Sequence, residues 1–329
     1  MDIVCIVPSS CTEDIFEKLS MCIESLNHSI KRSSLSHQII VVTSNNNVPN
    51  EIEIYLNKNK IKLMRLSSEM NKFSVLNNSV LNIVLSSNEY RKIGAVLFIN
   101  DDASVADNFF SFLSSYNLDE QIFISPHILN SNGSATDSFG VQYFSSGYAK
   151  NSTNLEDKTT LASASCLVAT IGSLKRIIQT YGYIFNPLYD YYLEDVELCI
   201  RALMVGVSIK KEKNMKAFHF GSTTSGKKSY FSMFNTYKNV IWTILLTWPI
   251  GTILKNIGKI ILVQLWTIFF STINYGPKLY FSVILLTIKN IKTILKYRNN
   301  TLSRYDLTPS FEDVLNRHAF RTYHGLYIW

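Results

Sequence analysis

Three groups of side chains in this sequence have the types and spacing to do chemistry. In Tyr192-Leu-Glu-Asp-Val-Glu-Leu-Cys-Ile-Arg201, adjacent carboxylates Glu194 and Asp195 open a segment whose apolar residues Val196, Cys199, Ile200 and Leu203 recur at helical spacing. A carboxylate fixed at the mouth of such a helix can act as a general base toward a bound hydroxyl. Glu197 and Arg201 stand four apart as a supporting pair, and Gly206 can close the helix in a left-handed conformation. The plain alternative is that acidic residues here only complement the positive end of the helix dipole.

The second group ends an apolar strand. Gly94-Ala-Val-Leu-Phe-Ile99 runs straight into Asn100, Asp101 and Asp102. In open α/β sheets ligands bind beyond the carboxyl ends of the strands, and clustered oxygen donors there suit Mg²⁺ or Mn²⁺ that also holds phosphates. A polar turn is the competing reading. The third group is His219, at the end of the segment Met215-Lys-Ala-Phe-His219 and before a small polar loop. An imidazole there can complete a metal site or touch a diphosphate, or it can be an ordinary hydrogen-bonded histidine.

Together, in this order, these elements resemble the inverting family-2 glycosyltransferases of the GT-A fold, in the bacterial, rhamnosyltransferase-like branch that builds surface polysaccharides. The resemblance rests on Ile6-Val-Pro8, Phe73 to Asn77-Asn78, Asn100-Asp-Asp102, Tyr192 to Arg201 and His219-Phe-Gly-Ser222, and covers about residues 1–240. It implies Asp195 as the base with Glu194 as the fallback, Asp102 and His219 as metal contacts, and a donor site including Pro8, Ser9, Ser10, Thr43, Asn78, Asn100 and Asp101. Asp137-Ser-Phe-Gly140 and Ser163-Ala-Ser-Cys166 resemble the segments flanking the acceptor side. Further implications are a Mg²⁺ or Mn²⁺ cofactor, a nucleotide-sugar donor, and a saccharide acceptor on a polyprenyl diphosphate at the inner face of the cytoplasmic membrane. The sequence departs from the family at Thr43, where an Asp that contacts the donor base is common, at Lys72, where Gly is usual, and at Ser9-Ser10. Lys72 is expected to be solvated.

The elements that position these groups are legible in outline. Short β-rich runs at Ile3–Val7, Ile39–Val42, Ile61–Leu66 and Ala95–Ile99 alternate with helical candidates near 12–31, 49–58 and 73–87. That alternation predicts an α/β fold with a mostly parallel sheet covered on both faces. The Ser-, Asn- and Gly-rich stretch 130–160 is expected to be a mobile loop. Five cysteines without a Cys-x-x-Cys pair, and an N-terminus reading as a buried strand, predict reduced thiols and a cytosolic site.

Beyond about residue 235 the character changes, which divides the chain into a catalytic domain, 1–235, and a helical C-terminal region, 236–329. Val240–Leu254, Ile260–Ile273 and Leu279–Ile288 are apolar, Lys-punctuated and each shorter than the roughly 20 residues of a perpendicular membrane span. Amphipathic helices lying on the membrane are expected, with packing on the core or in a homodimer, or a true membrane span, as the alternatives. The net charge of +7 favours an anionic leaflet. No nucleic-acid signature accompanies it. A sugar-phosphate nucleotidyltransferase is the runner-up reading, but Pro8-Ser-Ser-Cys11 lacks a Gly-rich phosphate loop. A non-catalytic scaffold of the same fold is the third.

Overall fold

The computed structural model describes residues 2–157, 161–221 and 229–303, together with 314–315, 320–321 and 327–328. The unbroken apolar run at the N-terminus forms β1 (Ile3–Pro8), buried on both faces. It pairs in parallel with β2 (His37–Thr43) on one side and β4 (Ala95–Ile99) on the other, and β3 (Lys62–Arg65) extends the sheet beyond β2.

Alternation along these strands divides the core into two layers. Ile3, Cys5 and Val7 join Ile15, Leu19 and Ile23 of α1 (Glu13–Ile30) and Ile52 and Leu56 of α2 (Asn50–Lys58). Val4 and Ile6 join Leu76, Val80 and Leu81 of α3 (Phe73–Ser86) and, from further along the chain, Leu174, Ile177, Val196 and Ile200. The expected strands and helices of the first hundred residues are all present.

Past β4 the chain adds β5 (Ala103–Val105), the short α4 (Phe109–Leu113) and β6 (Ile122–Asn130). The stretch expected to be a mobile loop instead forms β7 (Thr136–Ser138), β8 (Val141–Tyr143) and β9 (Ala149–Asn151), with Phe139, Tyr143 and Phe144 buried. Its small polar residues serve tight turns between strands, with Gly140 and Gly147 at positive φ. β10 (Cys166–Thr170) runs against β4 and β6, followed by α5 (Ile171–Tyr181) and α6 (Glu194–Met204). β11 (Ser208–His219) closes the main sheet in the order β3-β2-β1-β4-β10-β6-β11-β5. Six of these strands run parallel, while β10 and β5 run the other way.

The tail continues with α7 (Tyr230–Thr247), α8 (Ile250–Tyr275), α9 (Pro277–Lys289) and α10 (Ile291–Leu302). The expected boundary at 235 falls inside α7. Pro249 separates α7 from α8 as foreseen, but Lys255 and Lys259 do not break the next segment. α8 runs unbroken for 26 residues, long and apolar enough to cross a membrane, with 17% of its apolar stretch buried. The expectation that every segment falls short of a span is therefore corrected: lysine is a good helix former, so two of them punctuate hydropathy without ending the helix. All five cysteines are free and buried.

Candidate active site

The sheet itself brings the expected groups together. Ile6 pairs with Phe98, so Ser9, just past β1, lies level with Asp101, and the Ser9 hydroxyl bonds the Asp101 carboxyl. Burial raises Asp101 to about 6, with Ser9 opposing the rise. β11 pairs with β5 so that His219 lies opposite Ala103, next to Asp102, and Phe220 N–H donates to Asp102 O at 2.9 Å. His219 Nε2 then stands 3.3 Å from Asp102 Oδ1, and its Nδ1 stands 3.0 Å from Asp137 Oδ2 on β7. Burial alone would lower the His219 pKa, but the hydrogen bonds and charges of Asp102 and Asp137 outweigh it and hold it at about 9.

This set fits a hard divalent cation. Asp137 engages Nδ1 and turns Nε2 toward Asp102, the arrangement in which a second carboxylate orients a metal-binding imidazole. Among the described residues no group of three or more His, Cys, Asp or Glu gathers around one point. Mg²⁺ and Mn²⁺ sites that share a substrate diphosphate use only one or two protein carboxylates, so two first-sphere donors suffice.

The second carboxylate pair reaches the same place from α6. The register that sets Cys166 opposite Ile99 carries Ala164 opposite Asp101, and Asn100 N–H donates to Ser165 O at 3.1 Å. Ala164 N–H in turn donates to Asp195 Oδ2 at 3.1 Å. Asp195 Oδ1 accepts from Val196 N–H at 2.8 Å. Burial raises the Asp195 pKa, while the backbone donors at Ala164 and Val196 oppose it. Glu194 is raised by burial and then by the Asp195 charge, and its Oε2 is buried without a partner. The two backbone N–H groups favour the anion on Asp195, while burial and that charge favour the neutral form of Glu194. Asp101, Glu194 and Asp190 all act on the Tyr191 hydroxyl, which ties both carboxylate pairs to one neighbourhood.

The backbone that delivers Glu194 and Asp195 is strained. Tyr192 and Leu193 take φ of 69° and 61°, left-handed values that cost a non-glycine residue about 1–2 kcal/mol each. Asn239 of α7, fully buried, holds that turn by donating to Tyr191 O at 2.8 Å and Tyr192 O at 2.6 Å. Lys238 beside it, 1% exposed, bonds Asp190 at 2.8 Å, and Lys72 bonds the other Asp190 oxygen at 2.6 Å. Lys72 is thus ion-paired, with its side chain still 41% exposed to solvent as expected. Below the pair, Glu197 and Arg201 are fully buried, and Arg201 also donates to Ile184 O. The expected i,i+4 pair is therefore a core ion pair, whose breaking costs about 3–5 kcal/mol.

Two expected donor contacts are placed elsewhere. Thr43 is fully buried and its hydroxyl accepts from Asn45 N–H, so it does not reach the cleft. Asn78 spends both ends of its amide on Phe185, donating to its carbonyl at 2.7 Å and accepting from its N–H at 3.0 Å. Both are structural staples. Pro8, Ser9, Asn100 and Asp101 do line the carboxyl ends of β1 and β4, and Ser10 bonds Thr12 at 2.9 Å beside them. The polar loop expected after His219 falls at 222–228, outside the described residues. Asp190, Lys238 and Asn239 were not anticipated. Asp190 sat in plain view beside the Glu-Asp pair, but the two α7 residues give no local signal, because their partners lie 47–48 positions away.

A curled, mostly parallel sheet with carboxylates gathered at its strand ends is the fold of the GT-A glycosyltransferases. No protein-family model matches the sequence, and no curated protein does. Among solved structures the chain is similar to the glycosyltransferase GalNAc-T7 with UDP, GalNAc and Mn²⁺, at 12% identity and TM-score 0.54, over 74% of this chain and 48% of that one. It is also similar to TarS of S. aureus, at 12% identity and TM-score 0.50, over 96% of this chain and 50% of that one. The chain spans about half the length of both. For TarS 1–349 in complex with UDP the figures are 12% and 0.50, over 92% and 91% of the two chains.

Proposed function

We propose that this protein is an inverting glycosyltransferase that moves a hexosyl or deoxyhexosyl group from a nucleotide-diphosphate donor to a saccharide hydroxyl. The observation that carries the reading is the convergence just described: Asp195 hangs from the backbone directly across from Asp101, while Asp102 and His219 face each other one residue further on.

In this reading the donor diphosphate lies at the ends of β1 and β4, beside Ser9, Asn100 and Asp101. Asp102 and His219 hold Mg²⁺ or Mn²⁺, which when bound neutralises charge developing on the leaving diphosphate. Asp195 accepts the acceptor's hydroxyl proton as that oxygen bonds to the anomeric carbon and the bond to the diphosphate breaks. The products are the glycosylated acceptor, the nucleoside diphosphate and one proton, on Asp195. With the base on the face opposite the leaving group, as the family resemblance implies, one displacement inverts the carbon.

The similar structures with UDP support UDP-sugars as the first candidate donors to try. The lysine-rich, apolar tail supports a peripheral position on the inner face of the cytoplasmic membrane, where an acceptor on a lipid diphosphate is presented for surface-polysaccharide synthesis. Donor hydrolysis and transfer measured over a panel of nucleotide sugars, with and without Mn²⁺ or Mg²⁺, tests the reading. Asp102→Ala is expected to weaken metal-dependent donor binding. Wild-type turnover of Asp195→Asn would refute the base.

A further inference from the structure

A groove of about 610 Å³ runs between α7, α8 and α9, apart from the catalytic cleft and within the roughly 300–1,000 Å³ span of small-molecule sites. Ile244, Ile253, Ile260, Ile268, Tyr280 and Ile284 form most of its wall. On α8 the wall residues recur every three or four positions from Ile253 to Thr272, a length of about 28 Å at 1.5 Å per residue. That is close to the roughly 30 Å hydrocarbon thickness of a bilayer. The faces of α8 and α9 beside the groove are apolar and open: Leu265 is 60% exposed, Ile273 65% and Phe281 62%. Monomeric soluble proteins rarely leave a contiguous patch of this kind uncovered.

Charge decides what covers it. From residue 230 to 303 the sequence has Lys238, Lys255, Lys259, Lys278, Lys289, Lys292, Lys296 and Arg298, and no Asp or Glu at all. Apart from Lys238 and Arg298 these cations are exposed. A second copy docked by the same face would set lysines against lysines. An anionic lipid surface supplies both the missing negative charge and the hydrocarbon.

We infer that the groove between α7, α8 and α9 takes up one hydrocarbon chain of an anionic bilayer lipid while exposed lysines of the same helical region bind head groups. The inference rests on the membrane-side reading above and adds a site to it. Ile241, on the groove wall, and Asn239, which holds the turn before Glu194 and Asp195, both belong to α7.

The test uses the full chain with a single fluorophore. All native cysteines are buried, so Ile284→Cys can be labelled selectively in the groove and Ile54→Cys on α2 as the control. Vesicles containing phosphatidylglycerol with dibrominated acyl chains are expected to quench the label at 284 and not at 54, and vesicles of phosphatidylcholine alone to quench neither. Ile260→Trp, which fills the groove, is expected to abolish the quench while the protein still sediments with anionic vesicles. Should that variant misfold, the quench at 284 still decides. Sedimentation with anionic vesicles but no quench at 284 overturns the groove, as does equal binding to neutral vesicles. Dimerisation that protects the label identifies a second copy as the occupant and overturns it too. None of these readouts uses sugar transfer, so their failure is separable from failure of the glycosyltransferase reading.

Discussion

Two pairs of adjacent carboxylates, Asp101-Asp102 and Glu194-Asp195, meet at one cleft and are built in opposite ways. Asp102 faces the His219 imidazole, whose Nε2 proton a bound metal ion would replace. Asp195 is answered only by backbone N–H groups, and its neighbour Glu194 keeps one oxygen buried and unpartnered. A site that must bind and release a charged leaving group needs an exchangeable counter-ion. A site that must take a proton needs a raised pKa and no permanent cation within bonding distance. On the proposed reading, the first pair serves binding and the second proton transfer.

The comparison breaks at its strongest point if Asp195→Asn still transfers sugar. The expected loss is about 10²–10⁴-fold in turnover with donor binding retained, read by calorimetry with UDP and Mn²⁺. On the binding side, Asp137→Asn leaves the base untouched but removes the group that orients His219. Metal affinity is expected to fall about 10–100-fold, and an effect on turnover at saturating metal and donor would blur the division of labour.

Asn239→Ala probes the support of the base. It leaves the Tyr191 and Tyr192 carbonyls without their donor, at a cost of about 1–3 kcal/mol in stability, and is expected to lower kcat while sparing KM for the donor. Asn239→Asp should not rescue, because a carboxylate cannot donate to a carbonyl. The smallest effect is a pH dependence. The folded-state pKa of His219, about 9, lies above its ordinary 6.5, so its stabilising contribution is complete below 6.5 and lost as pH rises through about 9. Thermal melts of the metal-free protein should fall over that window, and Asp137→Asn should flatten the fall.

How much of this was legible depended on distance along the chain. β1, β2, β4 and the first three helices follow from hydrophobic runs and helical spacing, which are local properties. Asp102, Asp195 and His219 stood out because each ends or begins such an element. Thr43 and Asn78 were misread for a related reason: their sequence positions are those of donor contacts, yet whether a polar side chain faces a cleft or staples a neighbouring loop is set by what packs against it. The stretch 130–160 was misread as mobile because small polar residues suit tight turns between short strands as well as they suit loops.

By itself the amino-acid sequence determined an α/β sheet, the carboxylates at its strand ends and a basic, apolar tail, since these rest on periodicity and residue type. Only the tertiary structure decided that the tail's first helix supports the candidate site. The Asn239 amide and the Lys238 ammonium meet the strained turn before Glu194 across 47–48 residues of chain. A hydrogen bond of that reach leaves no periodic trace in sequence, because it depends on the packing of α7 against α6 and on nothing local to either.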